Sequence, residues 1–256
     1  MRILVTNDDG ILASGIHAVA AELTQIADVM VVAPERERSA TGHAITVHKP
    51  LRVNDVMLPL PNGTPLAGHA VNGTPSDCVK IGVEALAEAP PDLVVSGINR
   101  GPNLGTDIFY SGTVSAAVEA IILGLPSIAV SVDAFENVDY QPAAVFSRIL
   151  AAKVAEHGLA PGTFFNVNIP HLPLAEIKGV RITRPGMRRY RDVFEQRVDL
   201  KGRAYYWLGG SVDDPDEDPE IDSVALKEGF ISVSPVQFDL SKKELIDAVR
   251  GWNLSI

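Results

Sequence analysis

The amino-acid sequence predicts an α/β protein in which a doubly wound, mainly parallel sheet lies between two layers of helices. Strand and helix patterns alternate through the first two-thirds of the chain. Residues 3–5 and 29–33 are short apolar runs, and between them apolar residues recur at helical spacing from Ile16 to Ile26. A strand, a helix and a strand in this order predict a βαβ unit with parallel strands and a right-handed crossover.

The same alternation continues along the chain. The polar and charged residues 35–42 are predicted to form a loop at the carboxyl end of the second strand. Apolar patterns predict three further strands and three further helices, the strands over 93–96, 127–132 and 164–169 and the helices over 76–86, 114–123 and 141–157. Helices that alternate with parallel strands cover both faces of the sheet.

The pattern changes after residue 172, where we divide the chain into a core, 1–172, and a C-terminal extension, 173–256. The extension is predicted to contain a strand over 180–184, a hairpin over 190–208 that turns at Lys201-Gly202, a solvated acidic loop over 211–222, a strand over 230–236 and a terminal helix capped by Ser241. The aromatic residues 205–208 are compatible with core packing or an interface. The interface is favoured because a two-stranded hairpin is rarely stable alone.

Composition argues against one class of partner. The chain is 46% hydrophobic and 21% charged, as in a globular protein with a core. It carries 32 acidic and 22 basic residues, a formal net charge of −10, which argues against a broad face for a nucleic-acid duplex. A small anionic ligand remains compatible, since metals and helix N-termini reverse the potential locally.

Cysteine content and hydropathy give expectations about location. The single cysteine, Cys78, rules out an intrachain disulfide and is expected to be a small core residue rather than a nucleophile. The N-terminus lacks the pattern of a signal peptide, and no apolar run reaches the roughly 18 residues that a membrane span needs. We therefore expect a cytoplasmic protein with no membrane partner.

Two adjacent carboxylates, Asp8 and Asp9, follow the first predicted strand within the tetrapeptide Asn7-Asp-Asp-Gly10. Ligands bind at the carboxyl ends of strands in open α/β sheets. Adjacent carboxylates repel each other unless a positive group neutralises them, and a divalent cation is the simplest such group. Asn, Asp and Gly also favour turns, so the tetrapeptide alone is equally compatible with a plain turn.

Three polar loops are predicted at the carboxyl ends of strands of one sheet, over 7–13, 35–43 and 97–112. Such loops converge in space. Their polar side chains are those of Asp8, Asp9, Ser39, Thr41, His43, Asn99, Arg100, Asn103, Ser111 and Thr113. Carboxylate, hydroxyl and amide oxygens without cysteine favour Mg²⁺, Mn²⁺ or Ca²⁺ over structural zinc.

A second signal is the start of the helix predicted over 114–123. Ser111 and Thr113 precede it, and a helix start with hydroxyl groups beside it binds phosphate well. Serine and threonine are also ordinary helix caps, which is the better interpretation of this stretch alone. Beside a metal site, the anion-binding interpretation is favoured.

Five segments carry a resemblance to a known family. They are ILVTNDDGI, VVAPERERSATGHAIT, VNGTPSDCVKIG, DLVVSGINRGPNLGTDIFYSGTVSAAVEA and ISVSPVQFD. In this order and spacing, over residues 1–132 and again near 180–240, the chain resembles the SurE survival-protein family of metal-dependent 5'/3'-nucleotidases. The resemblance implies a Rossmann-like core and an extension that joins homodimers or homotetramers through its hairpin and exchanges its terminal segment between subunits.

The resemblance also implies an activity and a site. The implied reaction is hydrolysis of nucleoside 5'- and 3'-monophosphates to nucleoside and phosphate, with short polyphosphate a substrate of some members. The implied catalytic and metal-binding carboxylates are Asp8 and Asp9. Ser39 and Asn99 complete the metal ligands, with Mg²⁺ or Mn²⁺ expected and Ca²⁺ able to occupy the site. The implied phosphate pocket consists of Asn103, Ser111, Gly112 and Thr113.

Two parts of the chain depart from the family pattern. The family often has Ser or Asn near the position of His43, which we interpret as a loop hydrogen-bonder rather than a catalytic acid. Residues 133–140 show no pattern that maps onto the family.

The sequence also leaves alternative functions, substrates and nucleophiles open. A regulatory nucleotide-binding module would use the same sheet, but the two carboxylates disfavour it. A dinucleotide site is weaker still, because no G-x-G-x-x-G follows the first strand. Polyphosphate or a sugar phosphate stays open as the substrate. The nucleophile is either a water molecule, which we favour, or one of the two aspartates.

Overall fold

The largest feature of the computed structural model is a mixed sheet of nine strands, and the structure describes residues 1–61, 63–252 and 254. A separate two-stranded sheet is formed by β9 (Arg189–Val198) and β10 (Ala204–Asp213). The strands of the large sheet are β1 Arg2–Thr6, β2 Asp28–Pro34, β3 Val53–Pro59, β4 Pro65–Val71, β5 Leu93–Arg100, β6 Ser127–Asp133, β7 Thr163–Pro170, β8 Val180–Ile182 and β11 Ile231–Gln237.

The strand order places a ligand crevice beside β1. The order is β3-β4-β2-β1-β5-β6-β7-β11-β8, and the strands from β4 to β7 in this order are parallel. The chain moves outward on one side of β1 through β2 and crosses to the other side for β5. Such a switch point opens a crevice at the carboxyl ends of the strands.

Helices cover both faces of the sheet. They are α1 Ser14–Leu23, α2 Pro75–Ile81, α3 Gly112–Ile122, α4 Gln141–His157, α5 Asp222–Lys227 and α6 Lys243–Arg250. Helices α1 and α4 pack together on one face, and α2 and α3 pack together on the other. The predicted doubly wound α/β architecture is confirmed.

The apolar run of β1 explains why this strand lies at the centre. Ile3 and Val5 pack in the core beneath α1 and α4, whereas Leu4 packs on the opposite face with Cys78 of α2. Ile3, Leu4 and Val5 are fully buried, as expected for a strand covered on both faces, and Cys78 is fully buried as well. The core position predicted for Cys78 is confirmed, and burial raises the pKa of its thiol well above the usual value.

The antiparallel pair of β3 and β4 was not predicted from the sequence. Strand β3 ends at Pro59, β4 begins at Pro65, and Pro61 lies in the connection between them, so the segment resembles a loop in composition. It is a strand pair because β4 adds in parallel to the edge of β2 and β3 then pairs with β4.

Three local predictions were wrong. Strand β5 runs on to Arg100, through a shift in register between Ser96 and Asn99, so the third loop begins later than residue 97. The segment 211–222 is not a solvated loop throughout, because it starts inside β10 and ends at the fully buried Asp222. The terminal helix has Lys242 rather than Ser241 at its N-cap, with no side-chain hydrogen bond there.

The hairpin is confirmed as an element, and its aromatic residues are not core residues of this chain. Tyr205, Tyr206, Trp207 and Leu208 are all exposed on β10. The interface expected for this stretch stays a prediction. Among the described residues, no helix combines the length and apolar character needed to cross a membrane.

Gly15 controls how closely α1 approaches β5 below the crevice. A Cβ atom at this position would lie 2.2 Å from the carbonyl oxygen of Ile98 and 3.0 Å from the Tyr140 ring. We expect Gly15→Ala to lower the free energy of unfolding by about 1–3 kcal/mol, since the helix must move away from the strand. Urea unfolding measures this change.

The matched control is Gly209→Ala, where the nearest atom to a new Cβ would be 3.7 Å away. This exposed substitution should change stability by less than about 0.5 kcal/mol. Equal effects of the two substitutions would contradict the close approach of α1.

Candidate functional site

A cavity of about 510 Å³ opens at the carboxyl ends of β1, β2 and β5. Its lining includes six of the nine residues that the sequence analysis singled out for metal, phosphate or accessory roles, which are Asp8, Asp9, Ser39, Asn99, Asn103 and Ser111. The convergence of the three polar loops is therefore observed. Gly112, Thr113 and His43 are not among the described lining residues.

The tetrapeptide after β1 is a turn that also presents carboxylates. The side-chain Nδ2 atom of Asn7 donates to the carbonyl oxygen of Gly10 at 2.9 Å and closes the turn. Gly10 has a φ of +98°, which a residue with a side chain rarely adopts. The plain turn and the ligand site were thus not exclusive alternatives, because the turn aims both aspartates at the cavity.

Asp8 is the most constrained group of the site. Its side chain is buried against the start of α3, where Thr113 donates its hydroxyl to Oδ1 at 2.6 Å and its backbone N–H to Oδ2 at 3.2 Å. Burial raises the pKa of Asp8 from 3.8 to about 6, opposed by the Thr113 hydrogen bonds and assisted by the negative charge of Asp9. Gly112 permits this approach, since a Cβ there would lie 2.8 Å from Asp8 Cβ.

Asp9 is held by a backbone contact from β5, a strand that pairs with β1. The backbone N–H of Arg100, at the end of β5, donates to Asp9 Oδ2 at 3.0 Å. Burial raises the pKa of Asp9, and the charge of Glu37 adds to this shift, whereas Arg100 opposes it. Two neighbouring carboxylates with raised pKa values favour a positive partner in the cavity.

The loop after β2 carries Ser39 to the cavity. The backbone N–H of Arg38 donates to the Asp8 carbonyl oxygen at 2.7 Å, and that of Gly42 donates to the Tyr110 carbonyl oxygen at 3.2 Å. The loop is thus anchored on both sides of Ser39. The Ser39 hydroxyl donates to Glu37 Oε1 at 2.7 Å, which leaves its lone pairs available to a cation.

Asn99 presents an oxygen rather than a nitrogen. Its Nδ2 atom donates to the carbonyl oxygen of Gly101 at 2.7 Å. The amide oxygen Oδ1 is the atom that can act as a ligand. The register shift after Ser96 places Asn99 at the exposed end of β5, beside the backbone that holds Asp9.

Asn103 belongs to a buried amide network that the sequence analysis did not find. Its carbonyl oxygen accepts from Asn166 Nδ2 at 2.9 Å and Asn168 Nδ2 at 3.0 Å, both on β7. Its own Nδ2 donates to Ser131 Oγ at 2.8 Å. Two asparagines at alternate positions of an otherwise apolar strand were the available signal, because buried polar groups need partners.

Two hydroxyl residues at the start of α3, Ser111 and Thr113, have different roles. Ser111 caps the helix by accepting from the Val114 N–H at 3.1 Å, and it lines the cavity. Thr113 uses its hydroxyl and its N–H on Asp8 instead. The ordinary cap and the cavity position therefore coexist at Ser111.

His43 lies away from the carboxylates. Its Nε2 atom is 2.8 Å from Oε2 of Glu119, a buried residue of α3 that also lies 3.6 Å from Lys80 Nζ. The side chain thus joins the end of the second loop to the helix that positions Asp8. This geometry agrees with the interpretation of His43 as a loop hydrogen-bonder.

Comparison with known proteins identifies the chain. The sequence profile of the family described as "Survival protein SurE" matches residues 3–192. The chain belongs to the SurE family. The protein named 5'-nucleotidase SurE from Heliobacterium modesticaldum is 53% identical over 252 residues, which cover 98% of this chain and 92% of that protein. Its namesake from Moorella thermoacetica is 54% identical over 94% of this chain and 92% of its own length.

A solved structure extends the likeness to the fold. The crystal structure of the SurE protein from Aquifex aeolicus matches with a TM-score of 0.85 and 37% identity, over 99% of this chain and all of that one. The resemblance stated from the five segments is therefore confirmed over nearly the whole chain.

Tyr190, from the C-terminal part of this SurE chain, lines the cavity, and neighbouring residues of that part support this wall. Arg188 forms an ion pair with Asp107, and the Tyr190 hydroxyl donates to Asp107 Oδ1 at 2.6 Å. The buried carboxylate of Asp222 accepts from the N–H groups of Gly105 at 2.8 Å and Gly186 at 3.1 Å. Sequence reasoning missed this wall because its members are more than 80 residues apart in several contacts.

The donor set suits a hard cation. Across residues 1–61, 63–252 and 254, no group of three or more His, Cys, Asp or Glu is placed to hold a metal. A cation at Asp8 and Asp9 would therefore complete its shell with neutral oxygens, such as those of Ser39 and Asn99, and with water. Mg²⁺ and Ca²⁺ accept such shells, whereas structural zinc requires four protein ligands rich in Cys and His.

The buried charge of Asp8 should cost stability in the metal-free protein. Its raised pKa means that the folded state binds a proton that the unfolded state has lost, so this contribution falls as the pH rises from about 4 to about 6. We expect Asp8→Asn to stabilise the metal-free protein at pH 7.5 by about 2–3 kcal/mol and to lose this advantage by pH 4. Urea unfolding in chelator at both pH values measures it.

Asp28→Asn is the matched control, since Asp28 is an exposed carboxylate and its removal should change stability by less than about 0.5 kcal/mol. Equal stability of Asp8→Asn and the parent protein at pH 7.5 would show that the Asp8 charge is not destabilising.

Proposed function

We propose that this SurE chain is a divalent-metal-dependent phosphomonoesterase that hydrolyses nucleoside 5'- and 3'-monophosphates to nucleoside and phosphate. Relatives that are about half identical over nearly its whole length carry the name 5'-nucleotidase. The observation that carries the proposal is the pair of carboxylates, Asp8 and Asp9, at a cavity beside the start of α3. Short polyphosphate and sugar phosphates are further candidate substrates of the same site.

We propose Asp8, Asp9, Ser39 and Asn99 as the metal ligands, with Mg²⁺ or Mn²⁺ as the native metal and Ca²⁺ able to occupy the site. All four side chains line one cavity. Burial of the two aspartates raises their pKa values, because their negative charges are costly in the protein interior. A bound cation would offset this free-energy cost. A divalent cation bound there supplies charge neutralisation at the phosphate and lowers the pKa of an attacking water.

We propose Asn103, Ser111, Gly112 and Thr113 as the phosphate pocket. Ser111 accepts a hydrogen bond from Val114, so its own O–H is available to a phosphate oxygen. Asn103 keeps a second N–H on Nδ2 beyond the one that it gives to Ser131. Gly112 contributes a helix start without a side chain, and Thr113 orients the carboxylate beside it.

Arg100 is a further group for the same anion. Its side chain lines the cavity and lies 3.8 Å from Glu37 as an exposed ion pair. A surface pair of this kind is weak, so the guanidinium can turn to a phosphate at small cost. Arg100 is then the chain's own cation near the developing negative charge.

Water is the proposed nucleophile. Both oxygens of Asp8 accept hydrogen bonds from Thr113, and Asp9 accepts one from Arg100. Attack by Asp8 would break one of its contacts with Thr113, and attack by either carboxylate would compete with its proposed role as a metal ligand. Detection of phosphate bound covalently to the protein in a rapidly quenched reaction would overturn this choice.

We also propose that the chain acts as a homodimer or homotetramer through its extension. Aromatic residues are exposed on the hairpin, and Leu245, Ile246 and Val249 are exposed on α6. Apolar surface of this extent supports an interface. A cytoplasmic location stays a prediction of the sequence.

Phosphate release tests the proposed activity directly. The panel contains nucleoside 5'- and 3'-monophosphates, para-nitrophenyl phosphate and short polyphosphate, each with Mg²⁺, Mn²⁺ or excess chelator. We expect release that requires metal and favours nucleotides. Asp9→Asn should lower the rate at least about 100-fold, because it removes a charge from the metal ligands.

Asp28→Asn serves again as the control with an equal change of charge, and its activity should match that of the parent protein. Nucleotide binding without phosphate release under any metal would favour a regulatory module instead.

The contact between His43 and Glu119 should affect metal affinity rather than chemistry. It anchors the loop that carries Ser39. We expect His43→Ala to raise the Mg²⁺ or Mn²⁺ concentration for half-maximal activity about fivefold, in line with loss of one hydrogen bond, with little change in kcat at saturating metal. Metal titrations of activity measure both quantities.

His43→Gln keeps an N–H for Glu119 and should restore much of the affinity, whereas His48→Ala removes an exposed histidine and should have no effect. A fall in kcat of His43→Ala at saturating metal would argue for a catalytic role of His43.

A further inference from the structure

Phe135 is an exposed aromatic residue at the proposed catalytic cavity. It lies between β6 and α4, in the segment 133–140 that did not map onto the family pattern. Its side chain lines the same cavity as Asp8 and Asp9, yet 68% of the residue is exposed. A phenylalanine ring that is exposed beside polar side chains indicates a binding partner with an apolar face.

The position of the ring is set by the backbone at the end of β5. A Cβ at Gly101 would lie 2.5 Å from Phe135 Cε1 and 3.0 Å from Cζ, so the ring rests directly against the glycine. Gly101 has a φ of +100°, and its carbonyl oxygen accepts from Asn99 Nδ2 at 2.7 Å. The ring is therefore seated next to a residue that we propose as a metal ligand.

Other aromatic residues share this lining. Tyr110 is 66% exposed and Tyr190 is partly exposed, and both line the cavity. The Tyr190 hydroxyl donates to Asp107, which fixes one edge of its ring. The cavity thus combines oxygen ligands for a charged group with aromatic surface for a planar one.

Resting on the proposed function, we propose that Phe135 is a specificity-determining residue against which the base of a nucleoside monophosphate stacks while its phosphate lies at Asp8 and Asp9. One part of the ring packs on Gly101 and the exposed part is available to the base. Stacking on an aromatic ring accepts purines and pyrimidines, since every base has a π-face. The proposed site therefore selects nucleotides over phosphates without a base, with little choice among bases.

Steady-state kinetics with two substrate classes tests this role. The substrates are a purine and a pyrimidine nucleoside 5'-monophosphate and, as the baseless analogue, ribose 5-phosphate. We expect Phe135→Ala to raise KM for both nucleotides about tenfold, with kcat within about twofold. The KM for ribose 5-phosphate should not change. Phe135→Tyr should behave as the parent protein because it keeps the ring.

Ile149→Ala is the control. Ile149 is 47% exposed on α4, outside the extension, and is not part of the described cavity lining. Its replacement should leave the KM of every substrate unchanged. If Phe135→Ala fails to fold, its unfolding curve will show it. The Phe135→Leu variant then tests stacking in a folded protein, because leucine fills the space without a ring. Its KM for nucleotides should be raised as for Phe135→Ala.

The outcomes separate this inference from the proposed activity. An unchanged KM for nucleotides, or an equal rise for nucleotides and ribose 5-phosphate, would overturn the stacking role while hydrolysis stands. Absence of phosphate release from nucleotides by the parent protein would overturn the proposed activity. In that case, calorimetric titration with the same nucleotides, in the presence of divalent metal and without chelator, would decide the stacking role of Phe135. Weaker binding of nucleotides to Phe135→Ala would support that role, and equal binding would refute it.

Discussion

The site depends on the burial of the Asp8 carboxylate beside a second carboxylate. An ionised group in such a place needs hydrogen bonds, and Thr113 supplies them from the first turn of α3. The helix can come this close because Gly112 lacks a side chain. The residual cost remains visible in the raised pKa of Asp8, which a bound cation relieves. A strand end, a helix start and a glycine are thus arranged around one charge.

The same constraint connects the three loops. Asp9 accepts from the backbone of Arg100, and Arg38 donates to the carbonyl oxygen of Asp8. His43 then joins the second loop to Glu119 of α3. Each contact links an element that carries a proposed ligand to its neighbour, so the loops hold their positions through the protein itself and a cation meets a largely prepared set of oxygens.

The C-terminal part of the chain takes part in this arrangement. Strand β11 pairs with β7 inside the large sheet, and Asp222 accepts hydrogen bonds at the base of the hairpin and in the loop before α3. Tyr190 and Asp107 line the cavity and are joined by a hydrogen bond, and Arg188 forms an ion pair with the same Asp107. The hairpin therefore begins at the cavity, and the surface that we propose for an oligomer is continuous in sequence with Tyr190, which lines the cavity.

Local sequence by itself determined the doubly wound fold, the pair Asp8 and Asp9, and the polar loops around them, because apolar periodicity and turn residues act over a few residues. Tertiary structure alone decided which groups each aspartate meets. The bonds of Thr113 to Asp8 and of Arg100 to Asp9 join residues about 100 positions apart. The strand pair β3 and β4 likewise exists because an open sheet edge accepts it. Desolvation, hydrogen-bond partners and cavity walls arise only when distant segments pack together, and no local pattern encodes them.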